Sequence, residues 1–277
     1  MAYLSIPSTE VEMETIAGPN WLELPRDVTA NILQRLETIE LLTSACQVCP
    51  LWWNICKDPH MWRTISITYY RYKRHPDNNA EMLCRNAIKR SCGQLESIDI
   101  ELFATNDLIA YIADRKLPYL ESLDISFVIK LTKDSFEAVG RYCPLLKSLI
   151  CNTTHYDNGV LCAIGKTMPG LHHLKMFGKM PTDVELLPII DGCPLLESLD
   201  LSECFYESFE YRESLEKMCR ENIKDFRPPS QVSCYNYDSD CDSETESEFS
   251  SLFSYQEFES AISRIRSENW DGELTEP

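Results

Sequence analysis

The residue types able to do chemistry are few in this chain, and their spacing suits little of it. Cys46-Gln-Val-Cys49, with Cys56 and His60 following, offers thiolate and imidazole ligands at the spacing of half a zinc site. A structural zinc needs two such ligand pairs. The second pair is missing, so small buried thiols in a reducing compartment are the expected state. His155 near Asp157, and the His172-His173 pair, come nearest to a general base. A solvent-facing role accounts for His173 better than a catalytic one. There is no GxSxG, no HExxH and no phosphate-binding glycine loop. The sequence therefore predicts no catalytic residue, no metal and no cofactor.

The elements that would have to position such residues say more. With 277 residues, 44% of them hydrophobic, the chain has enough apolar material for a real core. Its 13 cysteines are odd in number and the first residues lack a secretory pattern, which argues against a disulfide framework. No apolar run of roughly 18 residues could span a bilayer. The expected setting is the nucleus or cytoplasm, away from membranes. A net charge of −18 repels phosphate backbones, so nucleic acid is a poor partner.

Internal periodicity organises the middle of the chain. The segments starting at Leu95 (LESIDI), Leu120 (LESLDI), Leu146 (LKSLIC), Leu171 (LHHLKM) and Leu196 (LESLDL) recur every 25 or 26 residues. Each reads apolar-x-x-apolar-x-apolar, the leucine-rich-repeat strand. Alternate side chains of a strand point to opposite faces. Ile98, Ile100, Leu123, Ile125, Leu199 and Leu201 are thus expected in the core. Ser97 and Asp99, Ser122 and Asp124, Ser148 and Ile150, His173 and Lys175, and Ser198 and Asp200 are expected to point outward, and stacked strands would line them along one surface.

Between these strands, residues 106–113, 132–141, 157–166 and 182–191 carry apolar side chains at helical spacing. Thr182 and Glu185 suit a capping box. Pro188 predicts that the last of these helices is short or kinked. Pro118, Pro144, Pro169 and Pro194 each stand two residues before a repeat's first leucine, where proline ends a helix and favours extended backbone. The fold class is therefore α/β, with parallel strands on one face of a short solenoid and helices on the other.

Ahead of the repeats, residues 20–66 form a dense helical unit. Leu24-Pro25 opens a helix with proline in its first turn. Val28, Ile32, Leu33 and Leu36 share one face, and Leu41, Leu42, Ala45, Val48 and Cys49 form a second apolar set. Trp52, Trp53 and Trp62 complete it. Domains of roughly 40 residues seldom bury enough surface alone, so this unit is expected to share its apolar faces with a neighbour. Residues 62–67 read as a strand and 79–91 as a helix, an atypical first repeat capping the array.

The order and spacing of Leu24-Pro25, Asp27-Val28, Ile32-Leu33, Leu36, Leu41-Leu42, Ala45, Val48-Cys49, Asp58-Pro59 and Trp62 resemble the F-box. With CPLLESLDLS-like strands behind it, the chain resembles the plant-type F-box/leucine-rich-repeat proteins over about residues 20–225. That resemblance implies a right-handed solenoid and the role of substrate receptor in an SCF-type ubiquitin ligase. The F-box would dock a Skp-type adaptor, and through it a cullin and a RING subunit. Leu24, Pro25, Val28, Ile32, Leu33, Leu41, Leu42, Val48 and Trp53 would be the adaptor contacts, some of them facing the unit's own core instead. A protein substrate would meet these outward strand residues, Ser97 to Asp200, with Phe177 alongside Lys175. The alternative is an adaptor-binding or repeat scaffold acting outside a ubiquitin ligase.

The domain plan expected is a flexible N-terminus over 1–19, the F-box over 20–66, repeats over 67–225 and an acidic tail over 226–277. From Cys234 to Pro277 twelve acidic residues face only Arg264 and Arg266, the composition of disorder.

Overall fold

The computed structural model describes residues 23–68, 80–156, 159–179, 181–205 and 213–229. The expectations for residues 1–19 and for the tail beyond 229 lie outside them. Helix α1 is Arg26–Leu33. Helix α2 spans residues 38–48, with one π turn, Leu41–Ala45, inserted in it, and α3 is Pro50–Cys56. A single 3-10 turn, Pro59–Trp62, leads into strand β1, Thr64–Ile67. Then helices and strands alternate: α4 (Ala80–Arg90), β2 (Ser97–Glu101), α5 (Asn106–Asp114), β3 (Ser122–Leu131), α6 (Lys133–Tyr142) and β4 (Ser148–Tyr156). The series continues through α7 (Val160–Thr167), β5 (His173–Lys179), α8 (Asp183–Gly192), β6 (Ser198–Phe205), α9 (Glu213–Asn222) and β7 (Asp225–Arg227).

The seven strands form one sheet in chain order, every neighbouring pair parallel. Parallel neighbours need a crossover, and a helix supplies each one. Side chains two residues apart then divide as the alternation predicts. Ile98, Ile100, Leu123, Ile125, Leu149, Cys151, Leu174, Met176, Leu199 and Leu201 are sealed between sheet and helices. The register is fixed where each strand begins. The Glu96 carbonyl accepts the amides of both Glu121 and Ser122, that of Glu121 accepts Lys147 and Ser148, and that of Lys147 accepts His172 and His173. A slip of one residue would break this ladder and turn the leucines outward.

The helices begin where the sequence supplies a cap. The Thr105 hydroxyl accepts the Leu108 amide at 3.1 Å, and Thr182 and Glu185 form a reciprocal capping box. Pro188 neither shortens nor ends α8, which runs on to Gly192. The carbonyl deprived of its amide donor belongs to Val184, whose side chain is 77% exposed, so water can replace that bond. The sheet also runs past the expected boundary at 225, because β7 includes Phe226 and Arg227. Pro228 and Pro229 follow it directly.

The helical unit is fused to the array rather than tethered to it. The Ser66 amide on β1 donates to the buried Thr38 hydroxyl of α2 at 3.0 Å. The Trp62 indole donates to the Cys56 carbonyl at 2.9 Å. Arg90, at the end of α4, lies over the rings of both Trp53 and Trp62, 5.6 and 5.4 Å from their centres. One contiguous core includes Leu33, Ile39, Ile55 and Trp62 from the helical unit together with the leucines of the repeats.

Candidate docking surfaces

The nine apolar residues singled out in the helical unit divide by burial. Leu33 and Leu41 are sealed in the core beside Ile39, Ala45 and Ile55. Leu24, Ile32 and Leu42 are half-buried, and Pro25 is exposed. Val28 and Trp53 are each 40% exposed and Val48 is 60% exposed. Apolar side chains scattered singly on a surface are ordinary, whereas a contiguous group of them marks a contact surface. The division has a physical cause. Leu33 and Leu41 face inward across the turn between α1 and α2. Val28 occupies the other side of α1, and Val48 lies at the end of α2, where Cys49 turns to extended backbone at φ −159°.

Polar groups fix these helices in place. The Thr29 hydroxyl donates to the Pro25 carbonyl at 3.1 Å, and Arg26 reaches the Asn54 carbonyl on α3 at 3.4 Å. Asp58 caps the 3-10 turn by accepting the His60 amide at 3.1 Å, and that bond holds its carboxyl below the usual carboxylate range. Sequence reasoning missed the cationic framing of Trp53, whose ring lies under Lys57 at 4.9 Å as well as Arg90. Only the chain's return at α4 brings Arg90 there.

The second surface is the outer face of the sheet. One row reads Ser97, Ser122, Ser148, His173, Ser198; the next reads Ser66, Asp99, Asp124, Ile150, Lys175, Asp200, Arg227. All the outward residues expected from the alternation lie in these two rows, with adjacent members about 4.8 Å apart. Phe177 is half-buried one pleat further on, in register with Asn152 and Glu203.

This face is charged at intervals and cross-braced. The Ser66 hydroxyl donates to Asp99 at 2.9 Å, Ser126 donates to Asp124 at 2.5 Å, and Ser202 donates to Asp200 at 2.6 Å. Burial pushes the Asp124 carboxyl up to about 6, with Asp99 and Glu101 adding repulsion, against the Ser126 bond and Lys175. Burial disfavours the charge on Lys175, but a 2.6 Å bond to Glu203 and the nearby Asp200 and Asp124 outweigh it and raise its pKa. Arg227 stands 3.6 Å from Asp200. Such a surface offers hydrogen bonds and alternating charge to a polypeptide.

Eight of the eleven cysteines among the described residues are buried and pack as small apolar groups. Cys46 and Cys56 touch in the core of the helical unit, where burial and the Cys46 thiol push Cys56 up to about 12. The Cys204 thiol reaches the Met176 carbonyl at 3.5 Å. Among the described residues no cluster of three or more His, Cys, Asp or Glu could hold a metal ion, and no helix is long and apolar enough to cross a membrane.

Comparison with known proteins places the two surfaces in context. Residues 21–68 match the F-box-like family model. The chain is similar to F-box/LRR-repeat protein 23 of Arabidopsis thaliana, 38% identical over 244 residues covering 76% of this chain and 54% of that protein. It thus spans about half the length of that relative. F-box protein SKIP19 of the same plant is 37% identical over 82% of each chain. F-box/LRR-repeat protein 22, also from Arabidopsis, is 36% identical over 79% of this chain and 80% of its own.

Proposed function

The chain belongs to the plant F-box/LRR-repeat family, and from that premise we propose that it is the substrate-recognition subunit of an SCF-type ubiquitin ligase. The F-box docks a Skp-type adaptor through Pro25, Val28, Val48 and Trp53, with Leu24, Ile32 and Leu42 at the margin. Leu33 and Leu41 hold the unit together from within. A cullin and a RING subunit join through the adaptor. The outward strand rows bind a protein substrate. The chain acts as a receptor without chemistry of its own, in the nucleus or cytoplasm, where its free thiols stay reduced.

The observation that carries this reading is the set of apolar side chains left uncovered on the helical unit. A unit matching the F-box closes a core around Leu33 and Leu41, yet leaves Val28, Val48 and Trp53 open to solvent. Burial of each against a partner would contribute about 1.5–3 kcal/mol. The contacts of β1 and α4 with that unit hold the strand face at a fixed angle to whatever docks on it, as transfer to a bound substrate requires.

The test is co-purification of the full chain with a Skp-type adaptor, followed by reconstitution with cullin, RING subunit and conjugating enzyme. Stable adaptor binding and adaptor-dependent ubiquitin transfer are expected. Absence of any adaptor complex would reject the assignment. Binding without transfer to any captured protein would favour a scaffold acting outside a ligase. Replacing Asp99, Asp124 and Asp200 together by Asn is expected to weaken substrate capture while leaving adaptor binding intact. Equal loss of both would contradict the division between the two surfaces.

A further inference from the structure

The edge of the array where helices turn into strands has an unexpected character for so acidic a chain. Helices α4, α6 and α7 carry Lys89, Arg141 and Lys166 in their last turns, and Arg115 follows α5 as its C-cap. A cation at one helix C-terminus complements the helix dipole. That does not account for the apolar row beside these charges. In the turns that follow, Tyr119, Leu145 and Leu195 occupy equivalent positions, and all three are among the most exposed large apolar residues described.

The fourth position in that row is Gly170. Where its side chain would stand, between Leu145 and Leu195, the surface dips into a partly open cavity of about 150 Å³. Gly140, Cys143, Pro144, Thr167, Met168 and Gly170 line it. Arg141 and Lys166 each adjoin a lining residue in sequence, as does Lys147, which also bridges Glu121 at 2.8 Å. The result is an apolar recess with cations next to its lining residues in the chain, of a size to take one large side chain from an acidic segment.

We propose that the occupant is this chain's own segment beyond Pro229, which places one of its aromatic side chains in the recess beside Gly170 and its carboxylates against Arg141, Lys147 and Lys166. The segment has the matching chemistry. Phe249, Phe253, Tyr255 and Phe258 are interspersed with Glu248, Glu257 and Glu259. Its length also suffices. From β7 back to β4 is three strand spacings, roughly 15 Å, and about 20 residues with coil dimensions reach roughly 25 Å. Attachment to the same chain raises the effective concentration of the segment, so a weak contact is enough to keep it seated.

Zero-length carboxylate–amine cross-linking of the full chain tests this, using an equal mixture of 15N-labelled and unlabelled protein read by mass spectrometry. The expected products join Lys147 or Lys166 to Glu244, Glu246, Glu248, Glu257 or Glu259 within single-isotope chains. Gly170→Leu fills the recess, and its new Cβ would meet only the Leu146 and Pro144 carbonyls at 3.8 Å, an ordinary contact. It is expected to lower those products roughly tenfold, as loss of one buried apolar side chain would. Arg141→Glu, on an exposed position, keeps both reporter lysines and should lower them roughly threefold. Three results would each overturn the proposal: mixed-isotope products, which assign the segment to a second copy; products spread evenly to Lys57 and Lys217; or yields unchanged in both variants.

Discussion

The Thr38 hydroxyl accepts the Ser66 amide at 3.0 Å, so one side chain of the F-box occupies the position that a neighbouring strand would otherwise take beside β1. Thr38 is 5% exposed, and water has little access to replace it. Thr38→Val keeps the shape and removes the acceptor. It is expected to destabilise the chain by about 1–3 kcal/mol, the cost of a buried amide left unpaired. Urea unfolding of the two proteins measures this directly; an unchanged midpoint would mean that the bond contributes nothing.

Arg90 makes the companion contact at the same junction, over Trp53 and Trp62. Arg90→Ala should cost about 1–2 kcal/mol for two partly desolvated cation–π contacts. Cleavage by a protease between the F-box and β2 should accelerate. Arg90→Lys keeps the charge and should recover part of the loss, because the guanidinium plane stacks on rings better than an ammonium does.

The two classes of apolar residue in the F-box should respond oppositely. Val28→Asp and Val48→Asp are expected to weaken adaptor binding at least about tenfold each, with thermal midpoints near that of the parent. Leu33→Ala should instead lower stability by about 2–5 kcal/mol through the cavity it leaves. Calorimetry of the chain beside titration of the adaptor separates the effects. Loss of stability in the valine variants would place those side chains in the core.

Asp124 gives the strand face a pH dependence. Its folded pKa of about 6 lies above the ordinary carboxylate value near 4, so the folded state binds the proton more tightly than the unfolded one. Its contribution is favourable below pH 4 and is lost as pH rises from about 4 to 6. The full change across that window is roughly 2–3 kcal/mol. Asp124→Asn keeps an acceptor for Ser126 and should therefore stabilise the protein at pH 7.5 but not at pH 4. Paired urea titrations at the two pH values test the sign.

Helices α7 and α8 approach at two glycines. A Cβ on Gly165 would collide with the Pro188 carbonyl, and one on Gly192 with the Gly165 carbonyl. Gly165→Ala is expected to cost about 1–3 kcal/mol by forcing the helices apart. Gly170→Ala, which has room, should be close to neutral. Thermal melts of the two variants give the comparison.

Much of this architecture can be read from residue types. The recurrence of Leu95, Leu120, Leu146, Leu171 and Leu196 fixed the strands and their register, because a period of 25 or 26 leaves one way to stack them. It also separated the Ile98 face from the Asp99 face. Strand β7 escaped notice, since Asp225-Phe226-Arg227 is too short to show alternation and gains its place only by pairing with β6. Pro188 did not shorten α8, for a related reason: its effect on helix length depends on whether water reaches Val184, which sequence does not reveal. The sorting of Leu33 from Val28, both apolar and on the same helix, needed the packing of α2 and α3 around them. The contact of Arg90 with Trp53 joins residues far apart in the chain that share no pattern.

The two lateral borders of the sheet have different terminators, and together they limit how this molecule can associate. At β1 a threonine from the F-box satisfies the border amide. At β7 the strand lasts three residues and gives way to two prolines, which carry no amide to donate. A foreign polypeptide that tries to extend the sheet thus meets an occupied site on one flank and scant backbone on the other. Fibre-like growth through strand addition is disfavoured, and recognition is left to side chains.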